Sequence, residues 1–351
     1  MRFGHIDHLM LFGGGTRLLA CADLARERGF RVEVFSAPRL LTTVLDDASM
    51  TVAAALHARG VPTIEVEDLR ALDLHSCVTP RTLGLSFGAP WIFRRADIDV
   101  FGGRLLNAHG ACLPENRGGA TFSWQILRGD RRGAFLFHLV DEGVDSGAIV
   151  MMETYEFPAE CRTPAAYRAF YVAHEPTFLT RFLDRLRADG DFPLTPQNEA
   201  RATYFPRLAT AHHAYIDWSW RAEEIVRFIA AFDQPHDGAM SFHRGERVTL
   251  RNAEVSLHDG VFHPFMRGLV IRKHDSTLSI AATDGTIMVR QIHRLNGSDA
   301  YPQIRPGHRL VTPQATLDDA LAYEAVYGVR GLRKEAAQVV VRAGERSSGV
   351  S

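Results

Sequence analysis

Lysine is almost missing from this chain: Lys273 and Lys334 are the only lysines among 40 basic side chains, and the rest are arginine. Such a bias is the compositional mark of a GC-rich genome and carries no functional message. Cysteine is scarce too. Cys21, Cys77, Cys112 and Cys161 have neither CxxC spacing nor a paired histidine nearby, which argues against a zinc site and against a disulfide framework. No run approaches the roughly 18 uninterrupted apolar residues of a membrane span. The opening MRFGHIDHLMLFGGG breaks its apolar run with glycines too early for a signal peptide. Neither sign of charge is in excess: the net charge is −1 and the pI about 7.0, so nothing advertises a polyanionic partner. These absences lead us to expect a cytoplasmic protein with reduced thiols, no nucleic-acid partner and no membrane partner. What is present is ordinary globular material, 351 residues at 46% hydrophobic and 23% charged, enough for one large or two medium domains.

The first half alternates strand-like and helix-like segments. Residues 8–12 form a first strand, followed by three glycines and a helix to about Gly29; residues 31–36 (RVEVFS) form a second strand. A helix over 53–59 capped by Gly60, strands at 61–66, 83–88, 104–107 and 134–140, and an amphipathic helix over 167–190 interrupted at Pro176 complete the pattern. Strands alternating with helices indicate an α/β fold with a Rossmann-like, mainly parallel sheet. Prolines at 193 and 196 mark a boundary in the segment 191–202. Beyond it lie a short helix at 222–232 and strand-like runs at 239–243, 247–257, 267–273, 277–282 and 285–292, the signature of a small antiparallel, OB-like β-barrel. We therefore expect a catalytic domain over 1–200, a barrel-like domain over 201–310, and a terminal helix at 316–327 with a disordered tail within 311–351.

Chemistry concentrates between residues 107 and 150. Asn107 and His109 follow the apolar run Arg104-Leu105-Leu106, as though at a strand end; Asp145 lies in the turn-rich Asp141-Glu142-Gly143-Val144-Asp145-Ser146-Gly147. An amide donor for an oxyanion, an imidazole acid/base and an orienting or deprotonating carboxylate suffice for acyl transfer. Asp141 and Asp145 suggest metal ligands, but too few other ligands share their motif, so no metal is expected; a rigid turn, with Gly143 and Gly147 at φ > 0, is the better reading. The Gly13-Gly14-Gly15 turn lacks the third glycine of a dinucleotide fingerprint, since Leu18 stands in that place. Its amides suit a substrate phosphate, with Arg17 and Arg39 as partners, although ordinary surface arginines are the default. Trp124 is read as structural, and the group His212, His213, Tyr215, Trp218 and Trp220 as packing at the domain junction.

The ordered set Asn-x-His, Leu-Pro, Arg-Gly, Trp-x-Ile and Asp-x-Gly-x-Asp-x-Gly resembles the 10-formyltetrahydrofolate-dependent formyltransferases, which include methionyl-tRNA, glycinamide ribonucleotide and sugar N-formyltransferases. The resemblance implies that Asn107, His109 and Asp145 are the catalytic trio. It also implies that the loop SFGAPWIF at 86–93 holds the folate co-substrate, with contacts from Phe87, Gly88, Pro90, Trp91, Ile92, Asp141 and Gly143. The chain has Gly110-Ala111 where many relatives have Pro-Ser. Ile216-Asp217-Trp218 and Pro235-His236-Asp237-Gly238-Ala239 are similar to the opening of the C-terminal domain of several such enzymes, and family members of this kind are often homodimers.

Three readings compete: transfer to a small amine, best a nucleotide-linked amino sugar; transfer to methionyl-tRNA; or a folate-binding or formyl-folate-hydrolysing protein that transfers to no amine. An N-hydroxyornithine or another small amine belongs with the first. Initiator-tRNA enzymes carry a basic insertion after the second strand, whereas residues 40–55 here (LLTTVLDDASMTVAAA) have no positive charge and two aspartates. Leu113-Pro114-Glu115-Asn116-Arg117-Gly118 is more like the sugar-type pattern. Hydrolases of this kind carry an extra N-terminal domain that this chain is not expected to have. Which of His109 and Asp145 is the base stays open at this level.

Overall fold

Both faces of the central strands are apolar, and this decides the architecture. The first strand, β1 (His8–Gly13), is buried along its whole length, with Leu9 and Leu11 in one core and Met10 and Phe12 in another. A strand covered on both sides belongs in the middle of a helix-flanked sheet. The computed structural model describes residues 1–45 and 50–333. Asp46 and Asp47 of the 40–55 segment, and the tail expected to be disordered, lie outside the described residues.

With β2 (Arg31–Ser36), β3 (Thr63–Glu65), β4 (Thr82–Phe87), β5 (Leu105–Ala111), β6 (Arg132–Leu139) and β7 (Ile149–Glu156), the first half forms one seven-stranded sheet in the order β3-β2-β1-β4-β5-β6-β7. Pairings from β3 through to β5 are parallel; β6 and β7 add antiparallel. The α/β expectation holds, with two corrections. Strand β7 was not foreseen. Strand β5 does not stop at Asn107 but runs on to Ala111, because antiparallel pairing with β6 continues beyond the point where parallel pairing with β4 ends at Ser86–Asn107.

Helix α1 (Thr16–Glu27) and the long helix α3 (Pro164–Arg187) cover one face of the sheet, while α2 (Thr121–Arg128) lies toward the second half of the chain. Pro176 does not interrupt α3, contrary to expectation. An internal proline costs a helix about 3 kcal/mol. Phe178, Leu179, Phe182 and Leu183, all fully buried just after it, each contribute about 1.5–3 kcal/mol on burial and hold the helix together.

The second half contains α4 (Ala222–Ala231) and a six-stranded antiparallel sheet built from β8 (Ala239–His243), β9 (Glu246–Ser256), β10 (Val270–His274), β11 (Thr277–Ala282), β12 (Gly285–Arg294) and β13 (Leu310–Val311), in the order β10-β11-β12-β9-β8-β13. Its two edges meet. Leu269 bridges Arg309, the Val270 N–H donates to the His308 carbonyl, and the Leu310 N–H donates to the Gly268 carbonyl, both at 2.9 Å. The barrel-like reading is thus met by a sheet that curls until its first and last strands touch. The terminal helix is shorter than expected, Gln314–Ala322, and Tyr327 instead enters a two-stranded hairpin. The two halves share apolar contacts: Ile126, Phe157 and Tyr167 belong to the same core as Ile225, Val248 and Leu278. No helix among the described residues is long and apolar enough to cross a membrane.

Candidate active site

Strand β5 carries Asn107 and His109 two residues apart, so both side chains leave the same face. Antiparallel pairing places His138 of β6 directly opposite Asn107. Asp145 returns from the following loop with φ of 53°, an uncommon conformation for a residue with a side chain. Its carboxylate meets all three neighbours. Oδ1 accepts from the Asn107 Nδ2 at 3.2 Å and lies 3.3 Å from the His138 Nε2; Oδ2 lies 3.7 Å from the His109 Nδ1 and accepts from the Gly118 N–H at 2.9 Å. The expected trio is therefore brought together.

The loop that carries Asp145 is held by close contacts more than by unusual glycine backbone. Gly143 and Gly147 were expected at positive φ, and neither is among the residues that have it. They are needed for space: a Cβ on Gly147 would lie 1.9 Å from the Leu139 carbonyl oxygen, and one on Gly143 would lie 2.0 Å from Ser146 Oγ. Asp141 closes the turn, accepting from the Gly143 N–H at 3.1 Å and the Ser146 hydroxyl at 2.6 Å. Gln197, from the segment that links the two halves, donates to the carbonyls of Asp145 and Gly147, each at 2.8 Å. Arg117 in turn donates to Gln197 Oε1 and to Glu199.

The two histidines are held in different states by their neighbours. His109 Nε2 lies 2.7 Å from the Asn116 carbonyl, which can only accept, so the proton is assigned to Nε2 and the Nδ1 lone pair faces Asp145. Burial pushes the His109 pKa below the ordinary imidazole value; Asp145 opposes this, His138 adds to it, and the net direction is downward. His138 Nδ1 likewise donates to the Leu139 carbonyl at 2.8 Å, leaving Nε2 to accept from the Asn107 Nδ2 at 3.1 Å. Burial would raise the Asp145 pKa, but its contacts with His138 and His109 and the Gly118 N–H hold it well below the usual carboxylate range. The result is an anionic Asp145 beside a neutral imidazole with a free lone pair.

His138 and Gln197 were missed at the level of sequence. The signal for His138 was its position seven residues before Asp145 on an alternating strand; using it required knowing that β6 runs antiparallel to β5. Gln197 carried no local signal, since only the fold brings its segment to the loop.

The residues expected at the folate loop occupy the neighbouring rim. Trp91 is half-buried against a cluster with Phe93, Ala89 and Val140, and its indole N–H donates to the Glu67 carbonyl at 3.4 Å. Ile92 is 81% exposed. Arg95 approaches Glu142 at 4.0 Å, so the 88–95 and 140–147 loops lie side by side. Phe87 and Gly88 line a cavity of about 220 Å³ together with Gly14, Gly15, Thr16, Arg17, Arg168 and Val172. It sits where β1 and β4 end, the switch point of the strand order. Arg17 is no ordinary surface arginine: it makes a two-pronged contact with the buried Glu175 at 2.7–3.0 Å and donates to the Tyr171 hydroxyl. Arg39 instead donates to the Val329 carbonyl. Trp124 stacks on Phe205 and donates to the Pro206 carbonyl, as befits a structural residue. His212 stacks on Tyr323 and the Trp218 indole donates to Ser241 Oγ, packing roles at the junction. Among the described residues no group of three or more His, Cys, Asp or Glu side chains is placed to hold a metal ion.

Residues 92–179 match the family described as formyl transferase, and residues 209–302 match the formyl transferase C-terminal domain. Methionyl-tRNA formyltransferase of Chloroflexus aggregans is 30% identical over 220 residues, 61% of this chain and 69% of that protein. The chain belongs to the formyltransferase family. A second relative, the methionyl-tRNA formyltransferase of Burkholderia vietnamiensis, is 25% identical over 85% of this formyltransferase and 90% of its own length. Among solved structures, the sugar 3N-formyltransferase WlaRD superposes with a TM-score of 0.63 at 15% identity, over 84% of this chain and 99% of its own. An N-formyltransferase from Helicobacter canadensis gives 0.63 and 15% over 82% and 100%. At such identities these two likenesses concern the fold alone.

Proposed function

We propose that this formyltransferase moves the formyl group of 10-formyltetrahydrofolate to the primary amine of a small molecule, a nucleotide-linked amino sugar. The observation that carries the transfer chemistry is the meeting of Asn107, His109 and Asp145 around one carboxylate. The attacking amine must lose a proton, and His109 supplies the base: its Nδ1 lone pair is free and its depressed pKa keeps it neutral near pH 7. Asp145 is too weak a base for that task, but its fixed negative charge at 3.7 Å stabilises the imidazolium that forms. Asn107 turns one N–H to the formyl oxygen as negative charge builds there. In the free protein both of its N–H groups are engaged, by His138 and by Asp145. Proton transfer to His109 Nδ1 would draw the Asp145 carboxylate toward it and release the Asn107 N–H that Asp145 holds.

The formyl-folate is a substrate; as its formyl C–N bond breaks, the weakly basic, aniline-like nitrogen leaves by taking back from the His109 imidazolium the proton that the amine gave up. The rim suits the folate. Trp91 and the solvent-exposed Ile92 offer an apolar wall to a flat ring, and the 141–143 turn offers backbone polar groups beside it. WlaRD was crystallised in the presence of dTDP and 5-N-formyl-THF, and the Helicobacter canadensis enzyme with folinic acid and dTDP-3-aminofucose, which supports both halves of the reading by analogy of fold.

The small acceptor is favoured by charge. A tRNA needs several separated phosphate contacts, and residues 40–55 bring no lysine or arginine. Methionyl-tRNA is the second reading, favoured by the 25% identity that extends over 90% of the Burkholderia enzyme. Mass spectrometry decides. Purified protein and 10-formyltetrahydrofolate are offered dTDP- and UDP-linked amino sugars, N-hydroxyornithine and methionyl-tRNA, with Asn107→Ala as control. Gain of one formyl group on an amino sugar, lost in the variant, is the expected result. Formylation of methionyl-tRNA alone overturns the small-acceptor reading, and folate turnover without any acceptor product overturns transfer altogether.

A further inference from the structure

A second polar cluster lies on the barrel, at the turn between β8 and β9. The two central residues of that turn, Arg244 and Gly245, have φ of 52° and 84°. Such turns favour Asn-Gly, since a residue with a long side chain is strained at positive φ. Arg244 stands there nonetheless, and its Nη2 lies 2.9 Å from His308 Nε2. His308 Nδ1 lies 3.0 Å from the Nε2 of the buried His243, and the two rings stack at 5.1 Å. Arg305 is exposed beside them, and Lys273 is fixed nearby by the carbonyls of Tyr301 and Ile304 at 2.7 and 2.9 Å.

Counter-charge is what the cluster lacks. Among the described residues neither Arg244 nor Arg305 makes an ion pair. Glu246, the carboxylate that acts on His243, is paired with Arg294 at 3.5 Å. His308 is held below the ordinary imidazole value by loss of hydration and then by Arg244, Arg305 and Lys273; His243 is depressed by burial, His308, Arg244 and Arg294, with Glu246 opposing. The side chains of Arg244, Gln303, Arg305 and His308, with Pro302, line an open cavity of about 380 Å³.

We propose that this cavity binds a phosphate group, free or on a nucleotide, through the forks of Arg244 and Arg305, with His308 Nε2 accepting from Arg244 and so holding that fork in place. Guanidinium forks match the geometry of phosphate oxygens. The strained backbone at Arg244 is then the means by which one fork is aimed. A single cluster of this size suits one phosphate or diphosphate, whereas a nucleic-acid backbone needs contacts spread along its length. The site is separate from Asn107, His109 and Asp145, and the inference does not depend on which amine is formylated.

The test is calorimetric titration of the full-length protein with inorganic phosphate, pyrophosphate and ADP, with NMR of the histidine ring protons as a second readout. Saturable binding that shifts the His308 and His243 signals is expected. Equal affinity for phosphate and ADP identifies free phosphate as the ligand; tighter binding of ADP identifies a nucleotide. Arg244→Asn places a residue suited to the turn, so the variant folds at least as well, yet it weakens binding about tenfold or more. Arg305→Gln, on an exposed loop, gives a similar loss. No saturable binding of any of the three, binding that both variants leave intact, or binding of single-stranded RNA alone would each overturn the proposal.

Discussion

Asn107 illustrates how much one amide can decide. Its two N–H groups are shared between His138 and Asp145, and the proposed mechanism turns one of them to the formyl oxygen. Asn107→Ala is expected to lower kcat by about 10²–10³-fold, equivalent to about 2.7–4 kcal/mol, with KM little changed; steady-state kinetics at saturating folate reads the split. With His109 as the proposed base, it is expected to set the acid limb of the rate. Its folded pKa lies below about 6.5, so activity is full above that value and falls as pH drops through the lower, folded pKa. In His109→Asn that limb disappears along with most of the rate. The same histidine makes a stability statement. Between its unfolded and folded pKa the unfolded chain binds the extra proton, so stability falls as pH drops below about 6.5. Asp145 follows at lower pH: its depressed pKa contributes stability above the ordinary carboxylate value, and that contribution is lost as pH falls through the folded one. The three residues could be singled out in the sequence because they sit in an ordered set of motifs that resembles a known family. Their partners could not, because His138 and Gln197 act only once β6 is antiparallel and the 191–202 segment crosses the loop.

At the scale of elements, periodicity located most strands of the chain, and each miss has its own physical cause. Strand β7 escaped because it is an edge strand whose alternation, half-buried against exposed, is weak. Helix α3 was expected to break at Pro176 because local propensity says so, and long-range burial of Phe178 and Phe182 overrides it. Pro176→Ala is accordingly expected to raise stability by about 1–3 kcal/mol, measured by urea denaturation, with the helix unchanged. The prolines of segment 191–202 mark a boundary in the sequence, yet Thr195 bridges Ile149 and Gln197 braces the Asp145 loop. Removing that side chain in Gln197→Ala leaves two carbonyls without their donor. We expect a loss of about 1–3 kcal/mol in stability and a fall in kcat larger than the change in KM, although Gln197 touches neither substrate.

Across the whole molecule, the second core ignores the boundary that the sequence suggested near residue 200. Ile126, Phe157 and Tyr167 pack with Trp218, Ile225, Phe228 and Leu250 as one cluster, and Ser123 Oγ donates to the Ala231 carbonyl at 2.8 Å. Two parts joined through so much shared apolar surface unfold together. Differential scanning calorimetry is expected to show a single transition; two resolved transitions would mean that the contact between α2 and α4 is weak.

Helix α3 has a consequence for engineering. Over 24 residues, about 36 Å, it lends Tyr167 to the barrel-side core at one end and Phe178 and Phe182 to the sheet at the other. Recombination with a cousin at the proline-rich joint would pair each half with a stranger's apolar surface. A chimera that crosses the joint is therefore expected to fold less well than one that keeps both halves and changes only the 88–95 rim loop. A breeder of chimeras should exchange residues 88–95 and leave alone both the joint and the Asp145 loop that Gln197 braces.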